Sequence, residues 1–380
     1  MFLARLKNMK IWLKPSEFKQ KIRNIIKRFV FFPNRQINGL KILCGSNGFL
    51  LNFTNGAFVT HKLYPSNQSE ILLSRRVESN FPRTAIIVQG PIGINGKFFL
   101  DTLKLYVRIF PKNSVLIVPV LWSDESPLLI TQVQAIGVHP VVIDKPEFGG
   151  LFNVDFQTTA VSAGIEYALG KGCSYVIRSR TDCRIHDPDA ITKLHAISSI
   201  FPARGLKKTR LNERLPGRIV ASSIVTCMYR VYGLTDILLF GSSTEMLEYF
   251  KPESHSRWIE ENGLSAKHPL AEGTPVVSEI FLCARYLQGL GLSLDWSLAH
   301  WHQCLANYFA VVDAEMIDLF WKKYEWQYAD RFNRGYSNST GRLVKFCDWL
   351  LLYAGNNVVD LGVKEEWEIT IGRLSQKRVL

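Results

Sequence analysis

The chain has 380 residues, of which 47% are hydrophobic and 21% charged, and its formal net charge is +13 at pH 7. This apolar content is enough for a real core in one large domain or two ordinary ones. No apolar run approaches the roughly 20 residues that a transmembrane helix needs, which excludes a membrane-spanning class. The charge lies mostly in residues 1–41, where eleven lysines and arginines face a single acid, Glu17. The basicity therefore belongs to one terminal segment and does not indicate a nucleic-acid partner.

Within the N-terminal segment 1–40, residues 16–32 predict a basic amphipathic helix. Lysines and arginines surround a set of apolar residues at helical spacing, namely Phe18, Ile22, Ile25, Ile26 and Phe29. Such a helix suits the headgroup layer of an anionic membrane, where each cation contributes about 1 kcal/mol. The alternative is a peripheral helix packed on its own domain with a solvated basic face. An RNA-binding arm would need a stacking platform, which does not accompany this segment.

The cysteines and the N-terminus indicate the compartment. Seven cysteines are scattered along the chain without a CxxC pair, which favours a reducing compartment with neither a disulfide framework nor a zinc site. The N-terminus lacks the compact apolar core and small-residue cleavage site of a secretory signal. We therefore expect a cytoplasmic protein, held peripherally at the inner face of the membrane.

Residues 41–82 predict a hairpin followed by a linker. Two Asn-Gly pairs, at 47–48 and 55–56, lie between short apolar runs, as is typical of turns between antiparallel strands. Residues 63–82 are polar and predict a linker to the main domain.

From Thr84 onward, apolar strand patterns alternate with helical patterns. The predicted strands are 85–88, 115–121, 141–143 and 175–177, and the predicted helices between them are 97–110, 126–136 and 154–169. Further along we expect helices at 188–200, 243–250 and 275–288 and a strand at 220–225, with a basic irregular stretch at 203–218. This alternation predicts an α/β domain over 83–300 with a doubly wound, mostly parallel sheet. Residues 301–380 are rich in aromatics and predict a C-terminal helical region.

Two polar motifs follow the ends of predicted strands, where a parallel sheet binds its ligand. One is the QGP turn at 89–91, and the other is the RTD motif at 180–182 within the stretch 175–187. Asp182 lies between Arg180 and Arg184, so a carboxylate able to hold a divalent cation neighbours groups able to hold phosphate oxygens. The alternative is a surface loop in which these charges pair with each other.

Several enzyme classes lack their sequence signatures here. The QGP turn has no third glycine of a dinucleotide fingerprint, and neither a P-loop nor a GxSxG motif is present. The remaining pattern, one carboxylate with arginines beside it and further acids downstream, suits transfer from a nucleotide-diphosphate donor. A divalent ion at Asp182, Mn²⁺ or Mg²⁺, would neutralise the leaving nucleotide, and arginines can share that task.

Three segments resemble the WavE-type lipopolysaccharide-synthesis family. They are IIVQGPI at 86–92, YVIRSRTDCRI at 175–185 and GLTDILLFGSSTEMLEYF at 233–250, and the similarity extends over roughly residues 80–290. The resemblance implies a GT-A-like glycosyltransferase that uses a nucleotide-diphosphate sugar and a bacterial surface glycan or glycolipid, such as a lipopolysaccharide core or capsule. In the family's terms Asp182 takes the place of the usual DxD motif, but only one acid is present, because Arg180 stands at the first position.

Donor-side roles follow as hypotheses. The metal is assigned to Asp182. Donor binding is assigned to the QGP turn and to residues in and beside the RTD motif, namely Gln89, Gly90, Pro91, Arg180, Asp182 and Arg184. Asp182 would contact the metal or the ribose and phosphates of the donor. The QGP turn would line the nucleotide pocket or, alternatively, serve only as a structural turn.

Catalytic roles are assigned to Asp236 and Glu279. Glu279 is the only acid on the apolar helix predicted at 275–288, and burial would raise its pKa, as suits a general base. A buried acid paired with Arg285 is the alternative. Asp236 would contact the acceptor or cap a helix or turn. A nucleotidyltransferase and a non-catalytic membrane scaffold remain open as other functions.

Overall fold

A computed structural model describes residues 40–45, 48–53, 58–62, 81–93, 96–204, 217–262, 277–324 and 343–355. The predicted basic helix at 16–32, the linker, and most of the basic stretch at 203–218 lie outside the described residues. The chain divides into two units, residues 1–67 and residues 68–380.

The first unit contains a three-stranded antiparallel sheet. Its strands are β1 (Leu40–Gly45), β2 (Gly48–Phe53) and β3 (Phe58–Lys62), and β2 pairs with both neighbours. Where the sequence predicts a hairpin, the described residues form three antiparallel strands. In the sequence, each Asn-Gly pair falls at a junction between two of these strands, as expected of turn residues.

The second unit is built on a seven-stranded sheet. In chain order its strands are β4 (Thr84–Gln89), β5 (Val115–Trp122), β6 (Val141–Ile143), β7 (Tyr175–Arg180), β9 (Ile219–Ser222), β10 (Leu239–Ser242) and β11 (Phe309–Val312). Their order across the sheet is β11-β9-β10-β7-β4-β5-β6. A separate two-stranded sheet pairs β8 (Cys183–Ile185) with β12 (Leu319–Trp321).

The sheet is mostly parallel and is covered on both faces. Strand β10 pairs antiparallel with β7 and β9, whereas the other neighbouring pairs are parallel. All six residues of β4 are buried. Because successive side chains of a strand point to opposite faces, this burial requires cover on both sides. The α/β class with a doubly wound, mostly parallel sheet is therefore confirmed.

Nine helices occur in the described part of the second unit. They are α1 (Lys97–Ile109), α2 (Pro127–Ala135), α3 (Val154–Gly170), α4 (Ala190–Ile200), α5 (Ser243–Tyr249), α6 (His255–Glu261), α7 (Ser278–Gly289), α8 (Leu298–Tyr308) and α9 (Phe346–Tyr353). The predicted helices agree with these bounds to within three residues at either end. No helix in the described ranges has both the length and the apolar content to cross a bilayer.

The C-terminal region is not only helical, which corrects the sequence prediction. The run FAVV at 309–312 forms β11, which pairs in parallel with β9 at the edge of the main sheet, and β12 lies at 319–321. The central sheet thus extends past residue 300. Directly after the pattern of α8, a four-residue apolar run cannot be told from a continuing buried helix by periodicity, and its pairing with a distant strand decides the outcome.

Candidate active site

A cleft of about 730 Å³ opens at the C-terminal edge of the parallel strands. The ends of β4, β5 and β7 reach it, together with the N-terminal parts of α3 and α7 and the segment before β10. The site residues predicted from the sequence that line it are Gln89, Gly90, Pro91, Arg180, Asp236 and Glu279. This is the position at which a sheet of this kind binds its ligand.

The two polar motifs predicted from the sequence lie against each other. Gln89 is opposite Arg180 in the register of β4 and β7. The Thr181 hydroxyl donates to the carbonyl of Pro91 at 2.6 Å, and the Thr181 N–H donates to the carbonyl of Gln89 at 3.3 Å. Gly90 has φ +142, and a Cβ there would stand 3.0 Å from Thr181 Oγ1. The turn therefore requires glycine, because only glycine combines this backbone angle with such a close approach.

Asp182 is held by its neighbours behind the cleft wall and does not itself line the cleft. Arg180 donates from Nε to Oδ1 at 2.8 Å and from Nη2 to Oδ2 at 3.2 Å, and the indole N–H of Trp321 donates to Oδ2 at 3.1 Å. Burial would raise the pKa of Asp182, but the hydrogen bonds and charge of Arg180 hold it below its ordinary value. Asp182 therefore orients Arg180 and Trp321, both of which face the cleft.

This donor set does not fit a divalent cation on Asp182. Such a cation is bound through oxygen ligands, and a carboxylate oxygen that accepts one hydrogen bond still has a second lone pair to offer. Asp182 has none left, because Oδ1 accepts from Arg180 Nε and Cys183 Sγ and Oδ2 accepts from Arg180 Nη2 and Trp321 Nε1. Across the described ranges, no group of three or more His, Cys, Asp or Glu side chains is placed to hold a metal.

Arg184 does not reach the cleft. Its Nε donates to Thr102 Oγ1 and its Nη2 to the carbonyl of Phe98, each at 2.9 Å, and its guanidinium carbon lies 4.1 Å from the centre of the Phe98 ring. These contacts join β8 to α1. The structure therefore places Arg184 apart from the other residues predicted to bind the donor.

Arg178 is a cleft residue that the sequence analysis did not single out. Its side chain is 1% exposed, and its Nε and Nη1 have no hydrogen-bond partner. Burial lowers its pKa to about 10, so the guanidinium is still charged at pH 7. Arg178 and Arg180 are two residues apart in β7 and so point to the same face. This spacing is visible in the sequence. The predicted strand ended at Ile177, however, so both arginines were assigned to the loop that follows it.

Asp236 joins the cleft to two neighbouring elements. Gln157 of α3 donates from Nε2 to Oδ2 at 2.9 Å, and Arg180 Nη1 lies 4.0 Å from the same oxygen. In the local turn, the N–H of Ile237 donates a hydrogen bond to the side-chain hydroxyl of Thr235. Asp236 is therefore positioned by contacts across the cleft, and the capping role weighed for it falls to Thr235.

Glu279 lies in the first turn of α7 and lines the cleft. Burial is the main cause that raises its pKa, and the nearby carboxylate of Asp236 raises it further, although Arg230 opposes this. The hydroxyl of Ser278 donates to Oε2 at 3.1 Å. Arg285, considered as a partner, instead donates to the carbonyls of Glu248 and Tyr249. Glu279 is thus a carboxylate whose pKa is raised and which faces open space.

An aromatic wall and a strained turn complete one side of the cleft. Trp122 and Phe156 meet edge to face at 5.9 Å, and Lys145 Nζ lies 5.5 Å from the centre of the Phe156 ring. Phe152 and Asn153 have φ of 58° and 59°, which costs free energy in non-glycine residues; such strain clusters at functional sites. Flat apolar faces of this kind can stack on a nucleobase.

Comparisons with known proteins were made for the whole chain. No protein-family model and no curated protein matches it. It is similar to a solved structure from Desulfovibrio desulfuricans G20 named as a nucleotide-diphospho-sugar transferase, with a TM-score of 0.31 and 8% identity over 56% of this chain and 78% of that one. It is also similar to a cytidylyltransferase from Leptospira borgpetersenii serovar Hardjo-bovis, with a TM-score of 0.27 and 12% identity over 48% and 73%.

Proposed function

We propose that this protein is a GT-A-like glycosyltransferase that moves a sugar from a nucleotide-diphosphate donor to a glycan. The observation that carries the proposal is the convergence, in one cleft at the C-terminal edge of the sheet, of the QGP turn, Arg178, Arg180, Asp236 and Glu279. A diphosphate needs cations, and an attacking hydroxyl needs a base. The cleft supplies both.

The donor would lie along the floor between the QGP turn and the two arginines of β7. When the bond between the sugar and the diphosphate breaks, negative charge develops on the departing phosphate oxygen. Prepositioned guanidinium groups stabilise that charge without having to reorganise. The aromatic wall of Trp122 and Phe156 is suited to the base of the nucleotide.

The acceptor would enter on the side of Glu279. In a transfer that inverts configuration, the Glu279 carboxylate takes the proton of the acceptor hydroxyl as that oxygen bonds to the anomeric carbon. The electrons of the broken carbon–oxygen bond leave on the nucleoside diphosphate. A base with a raised pKa holds this proton more firmly, and Asp236 supports that pKa while it positions Arg180 through their charge interaction.

The acceptor class and the place of action rest on the sequence. The resemblance of residues 86–92, 175–185 and 233–250 to the WavE-type family favours a bacterial surface glycan, such as a lipopolysaccharide core or capsule. The basic segment at 16–32 would hold the protein at an anionic membrane surface, where a glycolipid acceptor is located.

The direct test offers the protein a panel of nucleotide-sugars and measures release of the nucleoside diphosphate. The proposal expects release from at least one donor, and loss of that release in Glu279→Gln with an unchanged melting temperature. A nucleotidyltransferase would instead release pyrophosphate from a nucleoside triphosphate and a sugar phosphate. Pyrophosphate release without any nucleoside diphosphate release would overturn the proposal in favour of that second class.

A further inference from the structure

The floor of the cleft holds hydrogen-bonding groups that the protein itself leaves unsatisfied. The buried guanidinium of Arg178 has donors without partners at Nε and Nη1, and Oε1 of Gln89, a residue only 7% exposed, lacks a partner as well. A buried polar atom without a partner costs free energy, so native proteins rarely keep one unless something else binds it. Both residues line the same cleft.

Two other buried arginines show what a purely structural role requires in this fold. Arg218 donates to the carbonyls of Ala306, Phe309 and Pro202, and Arg285 donates to the carbonyls of Glu248 and Tyr249. Each directs its terminal nitrogens at the protein's own backbone and lacks a partner only at Nε, whereas Arg178 lacks one at Nη1 as well. Arg178 instead lies 5.7 Å from the centre of the Phe250 ring and directs its remaining surface at the cleft.

We propose that Arg178, together with Arg180, binds the donor's diphosphate directly and that this binding requires no divalent cation. The inference rests on the proposed function and deepens it. A guanidinium group can donate two parallel hydrogen bonds to phosphate oxygens. Two such groups can therefore take the place of a divalent ion that would otherwise bridge those oxygens. Asp182, the residue expected to hold such an ion, has both oxygens engaged by Arg180 and Trp321.

The surroundings of the pair agree with an anionic ligand. Arg178 and Arg180 lie about 7 Å apart along one face of β7, because a strand rises about 3.3 Å per residue. Lys145 and Lys323 also line the cleft. The unpartnered side-chain oxygen Oε1 of Gln89 can accept a hydrogen bond from a ribose hydroxyl or a base N–H, groups that a nucleotide carries beside its diphosphate.

The test is a calorimetric titration of the full chain with UDP, GDP, CDP, ADP and dTDP, each in EDTA and again with Mn²⁺. We expect at least one nucleotide to bind in EDTA with a Kd within about threefold of its value in Mn²⁺. Arg178→Met should weaken this binding by about 10- to 100-fold, the loss typical of a charge-assisted hydrogen-bond pair. Arg178→Lys keeps the charge but loses the bidentate guanidinium group, so its Kd should lie between those of the wild type and of Arg178→Met.

Arg218→Met is the matched control, because Arg218 is as deeply buried, its pKa is likewise lowered to about 10 by burial, and it lies outside the cleft. Its folded fraction should bind the nucleotide with the wild-type Kd. Binding that appears only with Mn²⁺ would overturn the inference and leave the proposed function standing, and this result needs no variant to fold. Unchanged binding by Arg178→Met in EDTA would also overturn the inference. Failure of every nucleotide under both conditions would overturn the proposed function as well.

Discussion

The protein buries arginines in two regions, and the two regions differ in how many hydrogen-bond partners they provide. Arg218, beneath α9, donates to three backbone carbonyls and lies 5.4 Å from the Trp349 ring. Arg178, on the floor of the cleft, has no partner for its Nε and Nη1, whereas Arg218 lacks a partner only at Nε. Burial lowers the pKa of both to about 10. Desolvation therefore does not distinguish the two arginines, whereas the unpartnered Nη1 beside the cleft does.

The largest effect is expected where the cleft performs chemistry. Glu279→Gln removes the proposed base but keeps the shape of the side chain, so turnover should fall by about 10²- to 10⁴-fold. Donor affinity should be retained, because Glu279 is assigned to the acceptor and the substitution leaves Arg178 and Arg180 in place. The rate of nucleoside diphosphate release, measured beside a binding titration, checks both halves. Equal losses of rate and affinity would show that Glu279 binds the donor instead.

The two arginines should also differ in what each contributes to the free energy of unfolding. Arg218→Met leaves the carbonyls of Ala306 and Pro202 without their side-chain donor, while that of Phe309 keeps the indole N–H of Trp349. It should lower the free energy of unfolding by about 2–4 kcal/mol. Arg178→Met removes a charge that is buried without hydrogen bonds at two of its nitrogens, so it should change that free energy by less than about 1 kcal/mol in the absence of ligand. Urea denaturation of both variants provides the measurement. A large loss in Arg178→Met would mean that the arginine supports the fold.

A smaller effect concerns pH. Turnover should rise with pH through the pKa of Glu279, because only its charged form can take a proton. Burial and then the charge of Asp236 raise this pKa above the ordinary 4.5. Asp236→Asn removes the second contribution while keeping the shape, so the inflection of the kcat/KM profile should move to lower pH. An inflection that stays in place would mean that another group controls the rate.

The smallest effect on chemistry is expected from the N-terminus. A variant without residues 1–35 loses the whole basic segment at 16–32 and should no longer sediment with vesicles that contain anionic lipid. Its turnover on a water-soluble acceptor should match that of the full chain, since the cleft is built from residues beyond 88. Retained sedimentation would place membrane affinity elsewhere, and full-length protein with neutral vesicles is the control.

Much of the fold could be predicted from local patterns. The strand at 141–143 was predicted to the residue, and the alternation of apolar runs with helical periodicity correctly gave a parallel sheet. The strand at 309–312 could not be predicted, because only its pairing with residues 219–222 distinguishes it from a helix.

The site divides in the same way. The QGP turn and Arg180 were predicted to lie together, since the ends of parallel strands share one edge. The position of Arg184 depends on Thr102 and Phe98, more than 80 residues away in the chain, and no local signal shows that contact. The engagement of Asp182 by Trp321 is equally remote in sequence.

We expect the floor of the cleft to bind the diphosphate of a nucleotide. A crystal structure of the protein soaked with the nucleoside diphosphate that binds best in EDTA tests this most directly. We expect the phosphate oxygens to lie within hydrogen-bonding distance of Arg178 and Arg180, beside the QGP turn. A nucleotide bound away from this cleft, or Arg178 satisfied by the protein while the phosphates lie elsewhere, would contradict it.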